Sequence, residues 1–248
     1  MKPETKKIDF ELTPSVVGIP MLFVLVMWLV FWAERKFNLD LTVFGIYPRT
    51  VLGLRGIVFS PFLHGNFEHL FNNSIPIFVL MVALRFFYRK QSLPIIVFGI
   101  LATGLLTWAF ARASYHIGAS SLIYVLASFI FFKGIQTKYY RLVALSFLVV
   151  LLYGGMVWYI FPDVEQGISW EGHLSGFVVG IFFTSIFGVP QYQKIFKYDW
   201  EQPDFDPEQD KFMQRFDANG NFQNIPNTEE TWEYFTSNLD VIYSVKQK

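Results

Sequence analysis

Long uncharged apolar runs, recurring along most of the chain, decide what this sequence can fold into. Such runs belong in lipid, where a helix needs roughly 20 apolar residues to cross about 30 Å of hydrocarbon. Six are legible: Ser15–Ala33, Leu70–Leu84, Leu93–Ala111, Ala119–Phe132, Leu142–Phe161 and Leu174–Val189. They thin the charged residues to 16% of the 248-residue chain, against about a quarter in a water-facing domain. Backbone groups in hydrocarbon must be paired within their own segment, so the expected fold is an all-α membrane protein with six transmembrane helices. The second and fourth runs are short for a full crossing. Short helices are tolerated where their ends sit in protein or a wet cavity, so those two mark the expected position of a site.

Charge and composition exclude several functions. A formal net charge of zero gives no reason to expect nucleic-acid binding. The absence of cysteine removes disulfides, thiolate metal sites and cysteine nucleophiles. The first apolar run follows Lys2, Lys6 and Lys7, is too long for a signal segment and has no small-residue cleavage site after it, so it reads as a retained helix. Lys2, Lys6, Lys7, Arg89, Lys90, Lys133, Lys138, Arg141, Lys194 and Lys197 all fall on one side if both termini are cytoplasmic. Arg35, Lys36, Arg49 and Arg55 fall on the other, in a Phe-, Leu- and Pro-containing outer loop from about Glu34 to Glu68 that reads as interfacial. The expected organisation is a cytoplasmic segment over 1–14, a membrane domain over 15–190 and a polar cytoplasmic tail over 191–248.

With that topology each even-numbered span begins on the outer side, and each opens on polar residues. Span two opens with His64 through His69, with Asn73 four residues on; span four with Gly118-Ala119-Ser120-Ser121; span six with Glu171-Gly172-His173. Polar groups at membrane depth are functional candidates by default. A serine hydroxyl becomes a nucleophile when an imidazole accepts its proton, and Ser120 and His173 supply such a pair. Ser120 also sits near a helix N-terminus, where free N–H groups favour a developing anion. His69 and Asn73, at i and i+4, project from one helical face and are candidates for an oxyanion pocket. Tyr124 lies at i+4 from Ser120, where its ring can hold an imidazole. Gly176 and Gly180 form a small-residue stripe that lets span six approach a neighbour closely. His64 reads as structural, His116 as an ordinary outer-loop residue, and Asn72 as facing away from the site.

These three motifs resemble the rhomboid family of intramembrane serine proteases. The matching pieces are His64 with His69-Leu-Phe-Asn-Asn73, Gly118-Ala119-Ser120 with Tyr124, and His173 with Gly176 and Gly180, within roughly Ser15 to Val189. The resemblance implies a six-helix rhomboid-like bundle with Ser120 as nucleophile and His173 as base. It implies His69, Asn73 and the Ser120 N–H as the oxyanion pocket, and Tyr124 packed against His173. The implied substrates are transmembrane proteins within the lipid bilayer, with no metal or cofactor, and a bacterial plasma membrane is the expected location. The chain departs from the family at Ser121, where Gly is frequent, and at Leu54-Arg55, where Trp-Arg is frequent. Two rival expectations are a catalytically silent rhomboid-like binder of membrane clients and a small transporter or channel using His and Asn as a polar path.

Overall fold

Helix is the only regular structure of any length among the described residues, as the apolar runs demand. The computed structural model describes residues 12–162, 164, 165, 167–188, 198–210 and 212–223. Six principal helices follow in order: α1 (Pro14–Phe37), α2 (Phe67–Phe87), α3 (Arg89–Phe110), α4 (Ser120–Thr137), α5 (Tyr140–Tyr153) and α6 (Trp170–Ile186). A 3₁₀ segment, Gly154–Ile160, continues α5. Helices α1 to α4, and α5 with its continuation, are long and apolar enough to cross a membrane; α6 has 17 residues.

Two sequence expectations need correction here. The second and fourth runs are not short helices: α2 has 21 residues and α4 has 18. The apolar runs stop at Arg85 and Lys133, but the helices continue through both cations because protein atoms solvate them. Arg85 is buried and donates to the Ser92 and Ser15 hydroxyls, each at 2.9 Å. Lys133 is buried and donates to the Thr184 carbonyl at 2.8 Å and to Gln136 Oε1 at 2.9 Å. Helix α1 also runs four residues beyond Ala33, so Arg35 and Lys36 belong to its last turn, and Asn38 closes it in the left-handed region. Glu171, which opens span six in the sequence, lies in the first turn of α6 and is buried.

The outer segment between α1 and α2 is a chain of short helical turns over Thr42–Phe44 and Leu52–Phe62, with Leu39, Phe44, Val51, Leu52, Val58 and Phe59 exposed. Helix α4 occupies the centre of the bundle and packs most extensively on α6, then on α5. Close approach of α4 and α6 rests on two glycines. A Cβ at Gly176 would overlap the Ser121 carbonyl and the Tyr124 side chain, and one at Gly180 would overlap Ser128 and the Val125 carbonyl. The apolar core around them includes Leu70, Ile77, Leu122, Val125, Phe129 and Val179.

The chain divides between Gln193 and Lys194 into two compact units. The expected boundary at residue 190 lies outside the described residues. Within the second unit, short 3₁₀ turns at Asp199–Glu201 and Met213–Arg215 accompany a bridge between Phe216 and Phe222.

Candidate active site

Helices α2, α4 and α6 begin around one cavity of about 890 Å³. Its lining includes His69, Asn72, Asn73, His116, Ser120, Tyr124, Tyr159 and His173. Three N-terminal devices place these side chains. The Asn66 side chain caps α2 by accepting the His69 N–H at 2.7 Å. Ser169 caps α6 by accepting the Gly172 N–H at 3.3 Å. Ser120 is the first residue of α4, so its own N–H is one of the donors the helix leaves unpaired.

Ser120 and His173 meet across the α4–α6 contact, with Ser120 Oγ 2.9 Å from His173 Nε2. The other ring nitrogen, Nδ1, lies 3.0 Å from the Tyr159 carbonyl oxygen. A carbonyl only accepts, so Nδ1 must carry the proton and Nε2 must present its lone pair to the serine hydroxyl. The bonding pattern therefore selects the tautomer that can take a proton from Ser120. The Tyr124 ring stacks on the imidazole with centroids 4.5 Å apart and planes 18° apart. The Tyr124 hydroxyl donates to the Met156 carbonyl at 2.6 Å, which fixes the ring from its far end. Both carbonyl partners come from the 3₁₀ continuation of α5.

His69 and Asn73 share the inward face of α2, and the Asn73 amide donates to the His69 carbonyl at 3.0 Å. Gly118 brings this face to the segment leading into Ser120. Its φ of +106° belongs to the region glycine favours, and a Cβ there would stand 2.7 Å from His69 Cε1 and Nε2. The Gly118 N–H donates to the Ser60 carbonyl at 2.8 Å, which ties the same segment to the outer loop. His64, outside the helices, is buried and packs edge-on to His69 at 5.0 Å. Burial foremost, and then the neighbouring His69, lower its pKa to about 3, with the Phe62 backbone acting in the opposite direction.

Ser120, His173, His69, Asn73 and Tyr124 are thus brought together, with Gly118, Gly176 and Gly180 at the approaches that permit it. Two residues set aside on sequence grounds also belong to the cavity wall: Asn72, exposed at its rim, and His116, which is buried rather than a free loop residue. His116 bonds through Nδ1 to the Ser169 hydroxyl and through Nε2 to the Arg112 carbonyl at 3.0 Å. Burial lowers its pKa, against smaller opposing contributions that begin with the Arg112 backbone. Beside it, Arg112 forms an ion pair with buried Glu171 at 3.1 Å. No spacing in the sequence announces the His116–Ser169 and Arg112–Glu171 contacts, because they join side chains 53 and 59 residues apart. Among the described residues no group of histidines and carboxylates is arranged to hold a metal ion.

The family described as the Rhomboid domain matches residues 53–189, from the outer loop to just past α6. An uncharacterized protein of Mycobacterium tuberculosis is 32% identical over 181 residues, covering 69% of this chain and 75% of the relative. An uncharacterized protein of Mycobacterium leprae is 30% identical over 205 residues, covering 77% of this chain and 78% of the relative. The match takes in every residue that meets at the Ser120–His173 contact, and the chain belongs to the rhomboid family.

Proposed function

We propose that this protein is an intramembrane serine endopeptidase that hydrolyses peptide bonds in or near the transmembrane segments of other membrane proteins, with Ser120 as nucleophile and His173 as general base. The observation that carries this reading is the 2.9 Å contact between Ser120 Oγ and an imidazole nitrogen whose lone pair faces it. As the hydroxyl oxygen attacks a substrate carbonyl, its proton passes to His173 Nε2. The Tyr159 carbonyl keeps the Nδ1 proton in place and favours the imidazolium that forms. The tetrahedral oxyanion is met by the Ser120 N–H at the positive end of α4, with Asn73 and His69 as the side-chain donors. His173 then protonates the leaving amine, and the acyl group remains as an ester on Ser120. Water entering through the cavity attacks the ester with His173 again as base, which releases the acid and restores the hydroxyl.

A helical substrate keeps its carbonyls in its own hydrogen bonds, so the scissile segment must unwind before attack. Substrates with small or helix-weakening residues near one end of a single span suit that requirement. The chain is a multi-pass membrane protein, and the distribution of lysine and arginine supports cytoplasmic termini.

The test is cleavage of a single-span substrate in lipid vesicles by the purified protein. Wild type produces two fragments with defined ends, and Ser120→Ala produces none above background. Equal cleavage by both removes Ser120 from the mechanism.

A further inference from the structure

Ser120 and His173 stand on different helices, so their contact is only as well defined as the placement of the two helix starts. The segment 111–119, which leads into Ser120, and the first turn of α6, which carries His173, are joined by two polar links beside the contact itself. In the first link, the Arg112 carbonyl accepts from His116 Nε2, so neutral His116 presents an unprotonated Nδ1. That nitrogen accepts the Ser169 hydroxyl proton, while the same hydroxyl oxygen accepts the Gly172 N–H that starts α6. In the second link, both oxygens of buried Glu171 receive Arg112: its backbone N–H at 3.1 Å and its guanidinium at 3.1 Å. Ser169 and Glu171 stand four and two residues before His173, so each link grips the turn that sets the imidazole's depth and rotation. Segment 111–119 is itself anchored from the other side by the paired backbone bonds between Ile46 and His116, at 2.9 and 3.0 Å.

We propose that Ser169 and Glu171 are positioning residues, which act through His116 and Arg112 to lock the first turn of α6 onto the segment leading into Ser120 and so hold the two reacting side chains at bonding distance. Neither residue touches the reacting atoms. A small displacement of a reacting group is expensive in rate, with about 1 Å worth on the order of a hundredfold. The effect on rate rests on the hydrolytic reading above, whereas the effect on α6 does not.

Two measurements on the full-length protein in lipid separate these. One is amide hydrogen exchange over the first turns of α6. The other is the rate of covalent labelling by a fluorophosphonate, together with kcat and KM on a single-span substrate. Ser169→Ala and Glu171→Ala are expected to raise exchange in α6 at residues 172–175 by about tenfold, with α1 and α2 unchanged. Labelling rate and kcat are expected to fall by tenfold to about a hundredfold, with KM within about twofold. Ser169→Thr, which keeps the hydroxyl, is expected to restore both. Unchanged exchange in α6 overturns the proposal, as do wild-type labelling and kcat in the two alanine variants. Loss of protection spread evenly over all helices also overturns it, since these would then be general stabilisers. If wild type neither labels nor cleaves, the hydrolytic reading falls, and the exchange alone decides the link: a local rise supports it and no rise overturns it.

Discussion

For single residues, the chemistry depends on which proton sits on which nitrogen. Tyr159 offers only a carbonyl to His173, so the imidazole is held in the tautomer that faces Ser120 with a lone pair. Replacing His173 by Ala is expected to lower kcat/KM for a single-span substrate by about 10⁴-fold or more, to the level of Ser120→Ala. Tyr124 acts through its ring and its hydroxyl, and two variants separate them. Tyr124→Phe keeps the stack and is expected to retain most of kcat. Tyr124→Ala gives up a contact of about 0.5–1.5 kcal/mol and is expected to lose about twofold to tenfold. His64 makes a prediction about stability. Its folded pKa of about 3 lies below its unfolded value of 6.5, so the unfolded chain takes up the proton first as pH falls. Its contribution to stability is complete above pH 6.5 and is lost progressively from there toward pH 3. Thermal unfolding in detergent should therefore show a steeper fall of midpoint with acidification in wild type than in His64→Phe. Ser120, His173, His69, Asn73 and Tyr124 were legible because chemistry-bearing side chains at helix starts stand out in an apolar background. The Tyr159 and Met156 carbonyls were not, since a backbone group carries no mark of its partner in the sequence.

At the scale of elements, the site exists because α4 and α6 come closer than side chains normally allow. Gly176→Ala places a methyl against the Ser121 carbonyl and 2.8 Å from Tyr124 Cβ, neither of which a rotamer change relieves. The helices must separate, at a cost of about 1–3 kcal/mol, and the variant is expected to show a lowered thermal midpoint together with loss of cleavage. The glycine stripe was legible as spacing, and the partner helix it meets followed from the Ser120–His173 pairing rather than from the stripe itself. Helix ends were the least legible feature. An uncharged window ends a span at the first cation, yet α2 and α4 carry Arg85 and Lys133 inward, paired to Ser15, Ser92, Gln136 and Thr184. Sequence spacing cannot show that a distant serine or carbonyl will solvate a buried charge. The same blindness hid the partner of Glu171, since Arg112 lies 59 residues away.

At the scale of the whole molecule, six apolar runs correctly implied a helical membrane bundle, since hydrocarbon leaves the backbone few alternatives. The tail's polar composition separated it from the bundle in sequence, and packing divides the chain between Gln193 and Lys194. A chain ending at Gln193 is expected to retain helical circular dichroism and cleave a single-span substrate within about twofold of the full-length rate. Reaction of the purified protein with a fluorophosphonate, followed by peptide mapping of the adduct, reports on one hydroxyl and one imidazole together. Wild type is expected to carry a single adduct on Ser120, and His173→Ala almost none. An adduct on another serine, or equal labelling of Ser120 without His173, would overturn the Ser120–His173 assignment.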